Sequence, residues 1–451
     1  MSHKFEILTD PNPVLRMPAK EVAEFDLSLQ QIIDKMVATM RQGGGVGLAA
    51  PQVGLLDKII VLECQSEKKE PDELKKLEEA GEIFPLTVIV NPVIEYLSKE
   101  KCDLVEGCLS FPSLRTVVSR PKTATINGLD RWGKPVKIKA CGFFARALQH
   151  EVDHLGGILL VDRMRKLKIA MMSNMELGLP AMKMLKTNPQ FDFMYLITGK
   201  NVKPQLGSVN MAAEAKKLDI PVVFWKSADQ IYQKLKSSKL DLVIVAGFGE
   251  ILSEKILNLP KYGILNIHPS LLPKYRGPSP VKQTILDGAK ETGVTIIRLT
   301  KEVDAGPIIG ELAVKLSGYE DAQVLLSALS SVGAEILLDV IPYYVTGDLK
   351  PQEQEHKSAT STKTLNREDG LITKDDTAET IERKIRAFYG WPYAYTFSDD
   401  KRILLLRSHL NDLGKLVLDK VKPEGKREMT YDEFKHGNKA SLDNLEDKLA
   451  G

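Results

Sequence analysis

The stretch QHEVDHLGG, residues 149–157, places His150 and His154 four residues apart, with Glu151 beside the first. On a helix, side chains four apart share one face, so both imidazoles can close on one metal ion. Glu151 is then free to act as general base on a water that the metal activates. A catalytic site of this kind needs a third protein ligand and one open position. No HExxHxxGxxH pattern follows, but EGCLSFP at 106–112 offers Cys108 upstream. A thiolate is a soft ligand suited to such an ion, and Gly107 allows close backbone approach. GVGLAAPQVG at 45–54 reads as a tight strand holding Gln52 near the metal. The Gln52 amide and the Leu109 backbone N–H could then stabilise a developing oxyanion. The other cysteines, Cys64, Cys102 and Cys141, read as inert buried residues.

A second constellation lies in KYGILNIHPSLLPKYRGPSP, residues 261–280. ILNIH reads as a buried strand, on which Asn266 and His268, two apart, project to one side. Pro269 helps to end that strand, and open parallel sheets bind ligands at the carboxyl ends of their strands. Asp304, in EVDAGPI after the strand GVTIIRLT, could return to the same edge. Asn, His and Asp together suit acyl transfer to an amine: donors for a tetrahedral oxygen, and a route for the proton that the amine must lose.

Both sets of residues need folded elements to hold them. A chain of 451 residues suggests two to four domains. Hydrophobic content of 43% and charged content of 27% permit ordinary soluble cores. A net charge of +2 gives no global signal for nucleic acid. Four cysteines make no disulfide framework. No apolar leader segment and no run of about 18 apolar residues is seen, so a reducing, cytoplasmic setting is expected.

QQIIDKMVATMRQ is amphipathic, with Ile32, Ile33, Met36 and Met40 at helical spacing. KIIVLEC reads as a strand, SEKKEPDELKKLEEAGE as a solvated helical insertion, and TVIVNPVIEYL as strand and turn. FFARALQHEVDHL carries Leu148, Val152 and Leu155 on one helical face and ends at Gly156 and Gly157. From 167 onward, KIAMMS, DFMYLIT, IPVVFW, LDLVIVAG, YGILNIH and GVTIIRLT alternate with helical stretches, the pattern of a doubly wound, mostly parallel sheet. A long helical stretch, AQVLLSALSSVGAEILLDVIPYYV, precedes the polar GDLKPQEQEHKSATSTKTLNREDG. A last segment opens on the helical AETIERKIRAFYGW. The expected domains are 1–166, 167–350, a linker over 351–366, and 367–451 with a polar tail after Gly437.

In order along the chain, GVGLAAPQ, EGCLS and QHEVDHL resemble the three motifs of peptide deformylase, and the resemblance covers about residues 3–165. It implies an α+β fold around the HExxH metal helix and removal of formyl from the N-terminal formyl-methionine of nascent polypeptides. By that resemblance Cys108, His150 and His154 bind the metal, typically iron(II), with zinc or nickel as substitutes. The donor set itself does not choose between iron and zinc. Glu151 would move protons, Gln52 and the Leu109 amide would hold the oxyanion, and Gly47 and Arg115 would contact the peptide.

NIHPSLLPKYRG, TGVTI and DAGPI resemble the formyltransferases that use 10-formyl-tetrahydrofolate, and LDLVIVAGFGEIL and KIAMMSNMELGLP match their flanking strands. RKIRAFYGWPYAY and KPEGKREMTYDEFKHG look like the C-terminal domain of methionyl-tRNA formyltransferase. The resemblance runs from about 167 to 435. It implies an α/β doubly wound, Rossmann-like catalytic domain and a small, OB-like β-barrel that helps to hold tRNA, here reduced. Asn266, His268 and Asp304 carry over as the catalytic trio. Phe248, Gly249, Ser270, Leu271, Leu272 and Pro273 carry over to the folate side.

The sequence departs from that pattern at SNMELG, at HPS, and in TGKNVKPQLGS, a short loop offering only Lys200 and Lys203. The C-terminal segment is short of strands between LLLRSHL and KLVLDKV, with Lys420, Lys422, Lys426 and Arg427 as a local basic patch. Fewer phosphate contacts imply weaker, less salt-dependent tRNA binding. The expectation is a bifunctional enzyme that deformylates formyl-methionyl peptides at the ribosome and formylates initiator methionyl-tRNA, with no membrane partner and no indication of oligomeric state. The alternatives are a deformylase joined to a sugar-amine formyltransferase, or to a non-catalytic module that binds tRNA or the ribosome.

Overall fold

The computed structural model describes residues 4–65, 71–199, 209–398 and 401–437. The expected loop lysines Lys200 and Lys203, the start of the charged insertion and the tail after Gly437 lie outside them. The chain divides into two compact units, Met1–Arg165 and Lys166–Gly451.

In the first unit, helix α1 (Leu27–Gln42) starts where the Asp26 carboxylate accepts from Leu29 N, an N-cap that satisfies an otherwise orphaned donor. Strands β1 (Gly47–Ala49) and β2 (Ile59–Cys64) follow, then helix α2 (Pro71–Glu79) and strand β3 (Phe84–Leu97). Next come β4 (Lys101–Cys108), β5 (Phe111–Pro121), β6 (Thr123–Leu129), β7 (Pro135–Cys141) and helices α3 (Gly142–Leu155) and α4 (Leu160–Arg163). A five-stranded antiparallel sheet has the order β1-β2-β3-β6-β7, and β4-β5 forms a separate two-stranded ribbon.

Strand alternation decides the packing. Ile60 and Leu62 join Phe84, Ile89 and Ile126 beneath Leu148 and Leu155 of α3. Ile59 and Val61 turn the other way, toward Ile33, Met36 and Met40 of α1. The metal-site helix is thereby pinned to one face of the sheet by its apolar stripe. One expectation is revised: NPVIEYL does not turn. Asn91 takes a left-handed φ of 51° and the register shifts between Val90 and Val93, so β3 continues through a bulge. Asn tolerates that region, and its side chain is held by both backbone groups of Val22.

The second unit opens with β8 (Leu167–Met172), α5 (Leu179–Thr187), β9 (Phe191–Gly199), α6 (Met211–Lys217), β10 (Val222–Trp225), α7 (Ala228–Ser238), β11 (Leu242–Val245), α8 (Glu254–Leu257) and β12 (Ile264–His268). Then follow α9 (Pro280–Leu286), β13 (Glu291–Arg298), β14 (Ile308–Lys315) and α10 (Ala322–Thr346). The sheet order is β10-β9-β8-β11-β12-β13-β14. The first five strands are parallel, and β13 and β14 join antiparallel. The strand order reverses between β8 and β11, which is where such sheets open a crevice.

By length and composition α10 could cross a membrane, which qualifies the expectation that no such apolar run exists. In this fold Leu325, Leu329, Leu337 and Ile341 of α10 are buried, and a Cβ at Gly333 would lie 2.6 Å from Ile267 of β12. The apolar length is thus used in backing the strand that carries Asn266 and His268.

The final segment holds α11 (Ala378–Phe388), β15 (Ala394–Ser398), β16 (Lys401–Leu410), β17 (Leu416–Pro423), β18 (Met429–Thr430) and α12 (Tyr431–Gly437). Where a reduced barrel was expected, the described residues form a four-stranded antiparallel sheet, β15-β16-β17-β18. Where further strands are lacking, β16 returns directly into β17 through a turn closed by Asn411 and Lys415.

Candidate active sites

The first site forms where α3 faces the end of β4. Cys108, His150 and His154 are buried, and one ligand atom from each lies within 4.8 Å of the others. Cys108 Sγ is 3.3 Å from His154 Nε2. His150 Nδ1 is 3.0 Å from Glu106 Oε2, which leaves Nε2 as the ring's remaining ligand atom. A carboxylate on the far nitrogen of a histidine is the usual outer support of a metal ligand. Burial opposes a charged His150, but the Cys108 and Glu106 hydrogen bonds and the Glu151 charge outweigh it and raise its pKa well above the ordinary value. Burial and the charges of His150 and Arg120 push His154 the other way, well below the ordinary value. A cysteine sulfur and two imidazoles, one ligand atom from each converging on one point, fit a divalent transition metal.

Glu151 shares the helix turn. Burial lifts its pKa to about 7, against the pull of His150 and Arg120. Its Oε2 is buried without a hydrogen-bond partner among the described residues, so it is poised to meet a proton or a donor. Gly47 packs directly on this carboxylate: an added Cβ would lie 2.8 Å from Glu151 Cδ. Gln52 is aimed by its own loop. Its Oε1 accepts from Ala49 N at 2.8 Å, which turns Nε2 toward Ser110 Oγ at 3.3 Å and Cys108 Sγ at 3.5 Å. Leu109 follows Cys108 directly at the end of β4. Arg115 pairs in register with Gly107, and its guanidinium occupies the space a side chain there would need.

Sequence reasoning quoted Glu106 without assigning it a part. Its carboxylate accepts from Arg120 Nε (2.7 Å) and Nη2 (3.1 Å), Arg146 Nη1 (2.5 Å) and His150. Burial would raise its pKa, yet these bonds hold it at about 2. Arg120 Nη1 continues to Asp153 Oδ2 at 2.7 Å. Arg146 and Asp153, at four before and three after His150 on the same helix, were legible by spacing; Arg120, across the ribbon, was not.

The second site sits at the carboxyl end of β12. Asn266 and His268 are buried, 9% and 3% exposed, and the Asp304 loop does return to them. Asn266 Nδ2 lies 3.4 Å from Asp304 Oδ1, and His268 Nδ1 lies 3.6 Å from Asp304 Oδ2. His268 Nε2 is 3.0 Å from the Tyr275 carbonyl; a carbonyl only accepts, so Nε2 carries a proton. Nδ1 is then the nitrogen left for chemistry. Gly277 N donates to Asp304 Oδ2 at 2.8 Å.

The remaining candidates divide. Phe248 is buried edge-on to Trp225 at 5.3 Å, three residues past Val245, the register partner of Asn266. Gly249, at φ 82°, has open space around it. Ser270 and Leu272 are buried: Thr295 Oγ1 donates to Ser270 O and accepts from Leu272 N. Leu271 and Pro273 remain partly exposed. Much of the expected linker, 351–366, is held near this site, through residues 352–362. Gln352 exchanges backbone hydrogen bonds with Ile308, and Thr360 and Thr362 bracket Arg276.

Three family models match the chain in order: Polypeptide deformylase over 4–170, Formyl transferase over 197–341, and the Formyl transferase C-terminal domain over 364–415. A methionyl-tRNA formyltransferase of Chloroflexus aurantiacus is 44% identical over 167 residues, 37% of this chain and 54% of that protein. One from Enterococcus faecalis is 34% identical over 223 residues, 44% of this chain and 71% of that protein. The chain thus spans about half the length of the Chloroflexus relatives it matches. Among solved structures, a peptide deformylase from Legionella pneumophila is 40% identical, covering 36% of this chain and 86% of that one, with a TM-score of 0.31. That from Thermotoga maritima is 34% identical, covering 36% of this chain and 99% of that one, with a TM-score of 0.32. The chain belongs to the methionyl-tRNA formyltransferase family and carries, ahead of that family's two domains, a polypeptide deformylase domain.

Proposed function

We propose that this chain is a bifunctional, cytoplasmic enzyme of translation initiation. Its first unit hydrolyses the formyl group from formyl-methionyl peptides as they emerge from the ribosome. Its second transfers formyl from 10-formyl-tetrahydrofolate to the amino group of initiator methionyl-tRNA. The observation that carries the reading is the presence of two complete donor sets in one chain, Cys108/His150/His154 with Glu151 and Asn266/His268/Asp304.

In the first unit Cys108, His150 and His154 would hold a divalent ion, iron(II) or zinc, which supplies Lewis-acid activation at neutral pH when bound. Glu151, with its pKa near 7, takes a proton from the attacking water and returns it to the departing amine. Gln52 Nε2 and the Leu109 N–H donate to the oxygen that gains charge. Gly47 and Arg115 border the peptide. Formate and a free methionyl amine are the products.

In the second unit the methionyl amine attacks the formyl carbon, and tetrahydrofolate leaves. Asn266 Nδ2 donates to the tetrahedral oxygen. With Nε2–H tied to Tyr275 O, His268 faces the Asp304 carboxylate with Nδ1, 3.6 Å away, and is held there to assist the reacting centre. Asp304 receives the proton shed by the amine and returns it to the folate nitrogen as tetrahydrofolate leaves. The folate lies toward Phe248, Gly249 and Leu271.

The test uses the purified full chain. Methionyl-tRNA with 10-formyl-tetrahydrofolate should yield formyl-methionyl-tRNA, and a formyl-Met peptide should yield formate. A chelator should abolish only the second reaction. His268→Ala should abolish only the first; transfer that survives it overturns the assignment. Formylation of a sugar amine in place of methionyl-tRNA, or tRNA binding without transfer, would replace the second half of the reading.

A further inference from the structure

The segment 351–362 contains little regular structure, yet it carries a buried amide with every hydrogen-bonding group in use. Gln354 is 5% exposed. Its Nε2 donates to the Asp304 carbonyl at 2.8 Å and to the Gly306 carbonyl at 2.7 Å. Its Oε1 accepts from Arg276 Nε at 3.1 Å and Nη2 at 2.6 Å. The amide orientation is chemically forced, since two carbonyls need donors and a guanidinium needs an acceptor. One side chain therefore ties two loops together. The first contains Asp304, a non-glycine residue at φ 49°, a conformation that persists only where surroundings hold it. The second is Tyr275–Arg276–Gly277. Tyr275 O fixes His268, and Gly277 N fixes the Asp304 carboxylate. The same strap grips that loop again farther on: Arg276 N donates to Thr360 O at 2.9 Å and Thr362 N to Arg276 O at 2.7 Å.

We propose that Gln354 is a positioning residue of the formyl-transfer site. It locks the Asp304 and 275–277 loops in the one arrangement that directs the Asp304 carboxylate at Asn266 and His268. The inference rests on the formyl-transfer reading above. It assigns a part in catalysis to a segment that lies fifty residues beyond Asp304.

Gln354→Glu and Gln354→Ala would be made in the full chain. Gln354→Glu keeps the volume and the Arg276 bond but faces two carbonyls with an acceptor. Formyl-transfer kcat, KM for each substrate and the pH profile of kcat would be measured, along with deformylation by the first unit as an internal control. The expected result is a kcat lower by roughly 10- to 100-fold in both variants, with KM within about threefold. The pH profile should shift and deformylation should be unchanged. A kcat within about threefold of wild type overturns the inference. So does a loss fully accounted for by the unfolded fraction, with wild-type kcat per folded molecule. Should Gln354→Ala fail to fold, Gln354→Glu decides alone. A wild-type chain that transfers formyl to no amine overturns the functional reading and this inference with it; an active wild type with unimpaired variants overturns the inference only.

Discussion

Gly47 was expected to matter because a peptide passes over it, but its packing points to a different cost of substitution. Its φ is not in the left-handed region, so alanine suits the backbone. The obstacle is Glu151. A Cβ at Gly47 would lie 2.8 Å from Glu151 Cδ and 2.9 Å from Cγ, and closer still to Oε1. Non-bonded carbons rest roughly 3.5–4.0 Å apart, so the carboxylate must retreat by about 1 Å. Glu151 is 4% exposed, so its side chain must turn to another rotamer within a buried site, away from the position it now holds beside His150 and His154. A misplacement of about 1 Å in a catalytic group costs on the order of 10²-fold in rate, so Gly47→Ala should lower deformylase kcat by about that factor. The metal-ligand set is untouched, so metal content should match wild type, and formyl transfer by the second unit should be unchanged. A double-mutant cycle separates this cause from a blocked peptide. If Gly47→Ala acts through Glu151, then Gly47→Ala/Glu151→Ala should be no slower than Glu151→Ala alone. Additive losses, or a Gly47→Ala kcat within about threefold of wild type, would refute the reasoning.

Glu106→Gln keeps the shape but removes the charge shared by Arg120, Arg146 and His150. Removing one partner of a buried ion pair costs about 3–5 kcal/mol, and loss of a ligand's outer support lowers metal affinity about 10- to 100-fold; chelator competition equal to wild type would contradict this. Lys282 donates to Trp391 O at 2.7 Å, and burial lowers its pKa from 10.5 to about 8. The unfolded chain then binds more protons within that window, so this group's contribution to stability is flat below it and rises with pH across it. Lys282→Met should remove that rise, read as the shift between pH 8 and about pH 10 in the temperature at which formyl transfer is half lost; equal shifts in variant and wild type would exclude it. A cut at Lys166 should leave both activities intact, because Arg165 N is bonded to Val117 O within the first unit and Leu167 N to Gln190 O within the second. Loss of either activity would indicate that the units act on each other.

What could be read in advance depended on whether the signal was local. His150, Glu151 and His154 lie on one helical turn, and six apolar runs separated by helices announce a parallel sheet. The ribbon β4-β5 escaped notice because Lys101, Asp103, Glu106, Arg115 and Arg120 interrupt its alternation. Glu106 and Arg120 are inside nonetheless, since each neutralises the other. The segment after α10 read as a linker because its composition is polar, but polarity there serves hydrogen bonds. Gln354, Thr360 and Thr362 are spent on Asp304, Tyr275 and Arg276, partners some 50 to 86 positions away that no local window could supply.

Two opposed reactions on one chain need not cancel, and the reason we propose lies in what each site must recognise. On the proposed reading one site would break and the other form the bond between formyl and the methionine nitrogen, so neither could be selective through the methionine alone. Selection has to come from what lies beyond the methionine. At the first site Gly47 and Arg115, an exposed side chain over Gly107, would border the substrate on that reading, which would suit a peptide extending past the first residue. The second site offers no metal-ligand set among the described residues. In the same unit, β17 carries Lys420, which is paired with Glu428, and Lys422, and the turn before β18 carries Lys426 and Arg427; a phosphate-bearing substrate would find these charges there. On the proposed reading, a formylated methionyl-tRNA lacks the peptide that the first site would require, and a nascent peptide lacks the tRNA that the second would require. The product of transfer would then become a substrate for hydrolysis only after the ribosome had extended it, and direct channelling would bring no gain.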